Sequence, residues 1–303
     1  MKEVSFTAVQ QKERDFKEFK KQFFSKTRKK VVNRPKFKSR YGKQSFKLCN
    51  TDRFSILTDR IRIEKMGWIN FTQHQSLPEV HKLISVTISK DSLGDYYVSI
   101  LVETDIKQFE KTGKSIGIDV GIKEFATLSD GTVIHNPKYF RENQSKLKRS
   151  QQHLSRKKKG SIRHKKQKLK VAKIHKKIQR QRELFLYTTS LNIVKNYDVI
   201  CIEDLNVSGM VKNRKLAKSI SDAGFSTFFR ILKYKSEWYG KELVQTGRFE
   251  PTSKTCSNCG NVKKELKLSE RTYHCEVCKH SQDRDLNAAI NIKALGVTSA
   301  QRA

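Results

Sequence analysis

The sequence predicts an α/β protein with a small antiparallel β-barrel in front of its main domain and a metal-binding ribbon inserted late. Three observations carry that expectation. Strand-like and helix-like patterns alternate beyond residue 111. Six short alternating apolar segments crowd the stretch from 34 to 103. Two Cys-x-x-Cys pairs stand fifteen residues apart near the carboxyl end.

Composition narrows the chemistry before any motif does. The chain has 303 residues with 64 Lys+Arg against 30 Asp+Glu, a formal charge of +34. A balance of that sign and size suits a polyanion as partner. With 36% hydrophobic residues and 17 Phe, the chain can fill real cores, which argues against wholesale disorder. No apolar run reaches the roughly 18 residues of a membrane span, and no basic stub with an apolar stretch opens the chain. The chain is therefore expected to lie in the cytoplasm, with no membrane partner.

The elements follow in order. Val9, Phe16, Phe19 and Phe23 recur at helical spacing, so residues 1–33 read as a basic amphipathic helix. Residues 34–110 hold QSFKLC, RFSIL, RIRI, GWINF, LISVTIS and YYVSILV, whose alternation and turn-rich gaps argue for a small barrel or a sandwich. KTGKS, from Lys111 to Ser115, is a linker; its Gly-Lys-Ser lacks the upstream glycine of a phosphate loop. SIGIDVG is a short strand carrying Asp119, and the Asp130-Gly131 pair in FATLSDGTVI signals a hairpin turn. From Lys146 to Arg182 there are 17 Lys or Arg and no acidic residue. Leucines and isoleucines at helical spacing divide this stretch, within 141–186, into two basic helices joined near Gly160 and Ser161. Such a run repels itself unless phosphates neutralise it, and Lys157, Lys158, Lys165 and Lys166 represent the expected contacts. DVICIED, apolar on both faces, is a central strand ending on Glu203. Phe225, Phe228, Phe229, Leu232 and Trp238 then share a broad helical face, and KELVQTG is a further strand. The main domain thus spans 111–250 plus 281–296, the ribbon 251–280, and 297–303 form a tail.

Cys256, Cys259, Cys275 and Cys278 supply four soft ligands on two tight knuckles, a pattern that closes tetrahedrally on zinc. Disulfides are the alternative, disfavoured by the absence of a secretory signal. Four thiolates leave no position open for substrate, so this zinc is structural. His274 and His280 flank the second knuckle without being needed, and Cys49 and Cys201 fall in apolar strand patterns as buried thiols. Among scarce acidic residues, Asp119 and Glu203 stand at strand ends and Asp285 opens the DLNAAINI helix, where Ala288, Ala289 and Ile292 pack. Each has a plainer reading: Asp119 as a turn residue, Glu203 as a loop-end carboxylate, Asp285 as a helix cap. Three such carboxylates meeting is what two magnesium ions about 3.5–4 Å apart require for phosphodiester hydrolysis, but spacing alone does not show that these three meet.

GIDVGIKEFATLSDG, VICIEDLNVSGMVKN, SISDAGFSTFFRILKYKSEWYG, TSKTCSNCG and DRDLNAAINI, in that order, resemble the TnpB (OrfB) family of transposon-encoded proteins, relatives of type V CRISPR effectors. The resemblance implies an RNase H-like, RuvC-type nuclease core with a zinc ribbon inserted before its last carboxylate. By motif position Asp119, Glu203 and Asp285 would be the catalytic, magnesium-holding carboxylates, with Asp283 the poorer choice for the third. It further implies a magnesium-dependent DNA endonuclease directed by guide RNA from the transposon end onto double-stranded target DNA, although such proteins are often described as transposases. No strand-transfer motif is present. Residues 34–110 would form the wedge domain that grips RNA, and the basic helices would follow the RNA–DNA duplex. The family usually opens with a further strand and a longer helical recognition segment, so the resemblance implies a truncated amino terminus. A cleavage-deficient nucleic-acid-binding protein is the alternative function.

Overall fold

The computed structural model describes residues 6–25, 44–49, 54–73, 82–248, 250–267 and 270–300. The chain divides into two compact units, 1–105 and 106–303.

The first unit begins with α1 (Phe6–Phe24), followed by β1 (Gln44–Leu48), β2 (Phe54–Ile56), β3 (Arg60–Ile63), β4 (Gly67–Asn70), β5 (Lys82–Lys90) and β6 (Tyr96–Glu103). All six apolar segments contribute a strand, but among the described residues they close no barrel. They form two three-stranded antiparallel sheets, ordered β1-β5-β6 and β2-β3-β4. The sheets share one core of Leu48, Phe54, Ile61, Ile63 and Val86, with Ala8 from the helix. Alternation fixes which face each strand buries but not which strand closes on which, and here the short β2-β3-β4 meander pairs only with itself. The helix also docks differently from its expected stripe. Val9 and Phe16 are exposed, while Ala8 is buried and Gln11 accepts a hydrogen bond from the Cys49 thiol, which is half-buried just past β1.

The second unit comprises β7 (Ser115–Val120), β8 (Glu124–Leu128), β9 (Val133–His135), α2 (Tyr139–Ser155), α3 (Ile162–Asn196), β10 (Val199–Glu203), α4 (Val207–Met210), α5 (Ala217–Ala223), α6 (Phe225–Trp238), β11 (Glu242–Thr246), β12 (Thr272–His274), β13 (Ser281–Asp283) and α7 (Arg284–Ala300). Its five-stranded sheet is ordered β11-β10-β7-β8-β9. The β7-β8-β9 meander is antiparallel, with its tight turn at Asp130-Gly131, and β10 and β11 continue the sheet parallel to β7.

Strand alternation divides the side chains of β7 and β10 between two layers. Ile116, Ile118, Ile200 and Ile202 face a core completed by Leu186 and Ile193 of α3 and by Phe228 and Leu232 of α6. Gly117 and Cys201 face α7. A Cβ at Gly117 would run into the Ala289 carbonyl and lie 2.6 Å from the Lys293 nitrogen, so only glycine lets the helix lie this close. Gly296 meets Cys201 in the same way.

The two basic helices are α2 and α3, joined over 156–161, with the Ser161 hydroxyl capping α3 through the His164 amide. The second runs to Asn196, ten residues beyond the expected end, because Leu186, Thr189, Ser190, Ile193 and Val194 bury its last turns. Gly224, at φ 73°, separates α5 from α6, so the aromatic helix begins at Phe225. Trp238, expected on the buried face, is half exposed and packs on Tyr234 at 4.8 Å. In the KTGKS linker the Thr112 and Gly113 amides both donate to Asp198, so a carboxylate of the chain itself occupies the donors that a phosphate would need. No described helix is long and apolar enough to cross a membrane.

Candidate functional site

Two sets of candidate ligands lie in the second unit. In the ribbon, the sulfurs of Cys256, Cys259, Cys275 and Cys278 lie within 4.8 Å of one another. Cys256 and Cys278 are 3.7 Å apart, and Cys259 and Cys275 3.5 Å. Each knuckle turns on the residue after its second cysteine, Gly260 at φ 77° and Lys279 at φ 61°. Backbone bonds close both turns: the Gly260 amide donates to the Cys256 carbonyl and the Lys279 amide to that of Cys275. The Asn258 amide hydrogen-bonds Cys278 and is the main reason its thiol falls to about 6. Four soft sulfurs in one closed cluster have the donor chemistry of a structural zinc site. His274 and His280 are not among them.

The three carboxylates come together by strand register. Ile202 of β10 pairs with Ile118 of β7 in parallel, so Glu203 and Asp119 are the next residues on adjacent strands. By alternation both stand on the α7 side, with Gly117 and Cys201. There α7 crosses β7 with Ala289 and Lys293 against Gly117, and Asp285 lies one turn earlier, toward the end of β7 that holds Asp119. The electrostatics agree with this placement. Burial pushes Asp119 up to about 8, and the negative charges of Asp285 and Glu203 add to it. Burial also raises Glu203, opposed by the neighbouring Thr252 side chain. Asp119 senses the charges of its two partners, yet among the described residues only the cysteines are drawn into one tight coordination-sized group.

At Asp285 the structure corrects one of the readings. The helix cap is Asp283, whose Oδ1 accepts from the Asp285 and Leu286 amides at 2.9 and 3.0 Å. Asp285 is left with Arg284 at 3.2 Å and Arg271 at 3.6 Å as charged neighbours. The sequence reading also missed Asn287 and Asn291, buried on α7 among Ala288, Ala289 and Ile292. Two amides four residues apart in an apolar helical stripe were the available signal, since buried amides require partners. Lys157 and Lys158 fall in the connection between the two basic helices, the first half-buried and the second exposed, while Lys165 and Lys166 are exposed on α3.

Comparison with known proteins agrees with the order of these parts. The OrfB_IS605 family profile, described as "Probable transposase", matches residues 97–214, and the "Cas12f1-like, TNB domain" profile matches 225–292. A Streptomyces pristinaespiralis protein named "Putative RNA-guided DNA endonuclease" is 36% identical over 301 residues, covering 99% of this chain and 74% of that protein. Escherichia coli K12 "Putative RNA-guided DNA endonuclease InsQ" is 33% identical, over 98% of this chain and 76% of its own length. Among solved structures, a Cas12f1 chain from a complex with sgRNA and target DNA aligns at 18% identity with a TM-score of 0.49. The alignment covers 70% of this chain and 45% of the Cas12f1 chain, so this chain spans less than half of that one.

Proposed function

This chain belongs to the TnpB (OrfB) family, and from that premise we propose that it is an RNA-guided, magnesium-dependent DNA endonuclease of a transposable element. The observation that carries the reading is the convergence of Asp119, Glu203 and Asp285 from two neighbouring parallel strands and the helix laid across them. The sheet order supports an RNase H-like, RuvC-type core: an antiparallel meander of three strands, with two parallel strands added beside its first.

Asp119, Glu203 and Asp285 would hold the magnesium ions. Their donor chemistry fits, because hard carboxylate oxygens suit magnesium, and burial together with the charges of Asp285 and Glu203 raises the proton affinity of Asp119. Bound there, magnesium would activate a water and stabilise the leaving oxygen of a phosphodiester. The chain's own groups prepare the site. Asp283 caps α7, so the Asp285 carboxylate is not spent on the helix start, and Arg271 and Arg284 flank it. Cys256, Cys259, Cys275 and Cys278 would bind a structural zinc whose four thiolates leave no open position. Lys157, Lys158, Lys165 and Lys166 would contact phosphates of a guide RNA–target DNA duplex, with sequence read by base pairing. The guide would derive from the transposon end, the target would be double-stranded DNA, and the protein would work in the cytoplasm, at the nucleoid.

The test is cleavage of a plasmid carrying a randomised flank and a guide-matched target. The protein is co-expressed with RNA from its own genomic neighbourhood, and Asp119→Ala is run alongside. Cutting should require magnesium and vanish in Asp119→Ala with RNA retention unchanged. Continued cutting by Asp119→Ala would overturn the carboxylate assignment. Retained RNA with no cut by the wild type would reassign the chain as a binding protein.

A further inference from the structure

We infer that Asn287, Asn291 and Thr252 are positioning residues that mount the carboxylate site on the first zinc knuckle. The inference rests on the carboxylate reading proposed above and extends it to residues that no metal would touch.

Asn287 lies two residues after Asp285 on α7 and is fully buried. Its side-chain oxygen accepts from the Ser257 amide at 3.0 Å and from Gln282 Nε2 at 2.9 Å, and its nitrogen donates to the Thr255 carbonyl at 2.7 Å. One turn on, the Asn291 nitrogen donates to the carbonyls of Thr252 and Thr255 at 2.8 and 2.7 Å. Gln282 closes the network by donating to the Ser257 hydroxyl. Thr255 and Ser257 bracket Cys256, so α7 grips the backbone on both sides of a cysteine ligand.

The same segment reaches the opposite carboxylate. The Thr252 side chain neighbours Glu203 and lowers its proton affinity, while its carbonyl is held by Asn291. Residues 252–257 therefore join the helix that carries Asp285 to the strand end that carries Glu203. Apolar packing alone does not fix the position of a helix along its axis to a fraction of an ångström, but directional bonds from a buried amide do. Ala288, Ala289 and Ile292 supply the apolar contact on this helix, so two asparagines are not needed to bury area. In metal sites, partners beyond the ligands commonly set affinity through ligand orientation.

The experiment measures manganese, as a spectroscopic stand-in for magnesium, binding to the full-length protein by electron paramagnetic resonance. Zinc content and melting temperature are measured on the same samples. Asn291→Ala and Thr252→Val should keep zinc and melt close to wild type, yet weaken manganese binding on the order of tenfold. Thr252→Ser, which retains the hydroxyl, should restore affinity. Manganese affinity within about twofold of wild type in both variants, with zinc retained, would make these residues packing elements and overturn the inference. If Asn291→Ala fails to fold, Thr252→Val, which keeps the side-chain volume, decides the matter together with its serine rescue. Asp119→Ala is the control. Manganese binding by the wild type that survives Asp119→Ala would refute the carboxylate reading itself, and a tight Asp119-dependent site unmoved by Thr252→Val would refute only the mounting.

Discussion

The cysteine quartet and the carboxylate trio reach their places by opposite routes. The cysteines fall within 23 residues, and two knuckles with their own backbone bonds suffice to gather them. The carboxylates are separated by 84 and 82 residues and meet only because a parallel pair of strands is in register and a helix crosses them at a glycine. One set is a product of local turn chemistry and the other of the whole second unit. Their side chains behave accordingly, since Cys278 loses its proton readily whereas Asp119 holds its own far above the usual carboxylate range.

The largest expected effect separates the two sets outright. Replacing Cys256 by serine removes one of four thiolates from a class of site whose zinc binding contributes about 10–16 kcal/mol in isolated fingers. Zinc content by mass spectrometry should fall from one ion per chain toward none. Amide protection should be lost over the ribbon and kept over β7 and β10, because the core of Ile116, Ile118, Ile200 and Ile202 contains no ribbon residue. Loss of protection in that sheet as well would mean that the ribbon is not a separable unit.

Next in size is the raised proton affinity of Asp119, set first by burial and then by the charges of Asp285 and Glu203, and the sign of its effect can be worked out. The folded state raises Asp119 from 3.8 to about 8, so between those values it holds a proton that the unfolded chain has released. The stability linked to this proton is fully present below about pH 4, declines as pH rises, and is gone above about 8. In metal-free protein, Asp119→Asn should therefore remove a decline in melting temperature across that window. Its advantage over wild type should be nil near pH 4 and greatest above pH 8. Identical pH profiles for the two proteins would show that Asp119 is not held among other negative charges.

The contrast also explains what could be read from sequence alone. Ligand spacing in the ribbon is itself short-range, so CxxC pairs announce the cluster directly. Strand parity announced that Asp119 and Glu203 stand at the ends of apolar strands, but register is a relation between segments and shows in neither of them. The two-layer division of Ile118 from Gly117 was likewise implicit in alternation, whereas the helix lying on Gly117 was not. In the first unit the same limit appears as the two sheets found in place of a barrel: six strands were legible from their alternation, and their partners were not. Asn287 and Asn291 escaped because their role is defined by what they bond to across about thirty to forty residues, in an otherwise ordinary helix.

The smallest predicted effect tests which of two neighbouring aspartates belongs to the trio. Asp283 and Asp285 are both close enough to raise Asp119, so charge alone does not choose between them. Geometry favours Asp285, because the Asp283 carboxylate is committed to two amides at the start of α7. Asp283→Ala should lower stability by about 1 kcal/mol, the usual consequence of losing a cap, as read from a urea midpoint shift at constant slope. Manganese binding should survive, slightly weakened as the first turn of α7 frays. Asp285→Ala should do the reverse: stability stays within about 0.5 kcal/mol of wild type, as for substitutions away from caps and cores, and manganese binding is lost. The opposite pattern would move the third ligand to Asp283 and leave the trio's geometry to be rebuilt around the end of β13 rather than the first turn of the helix.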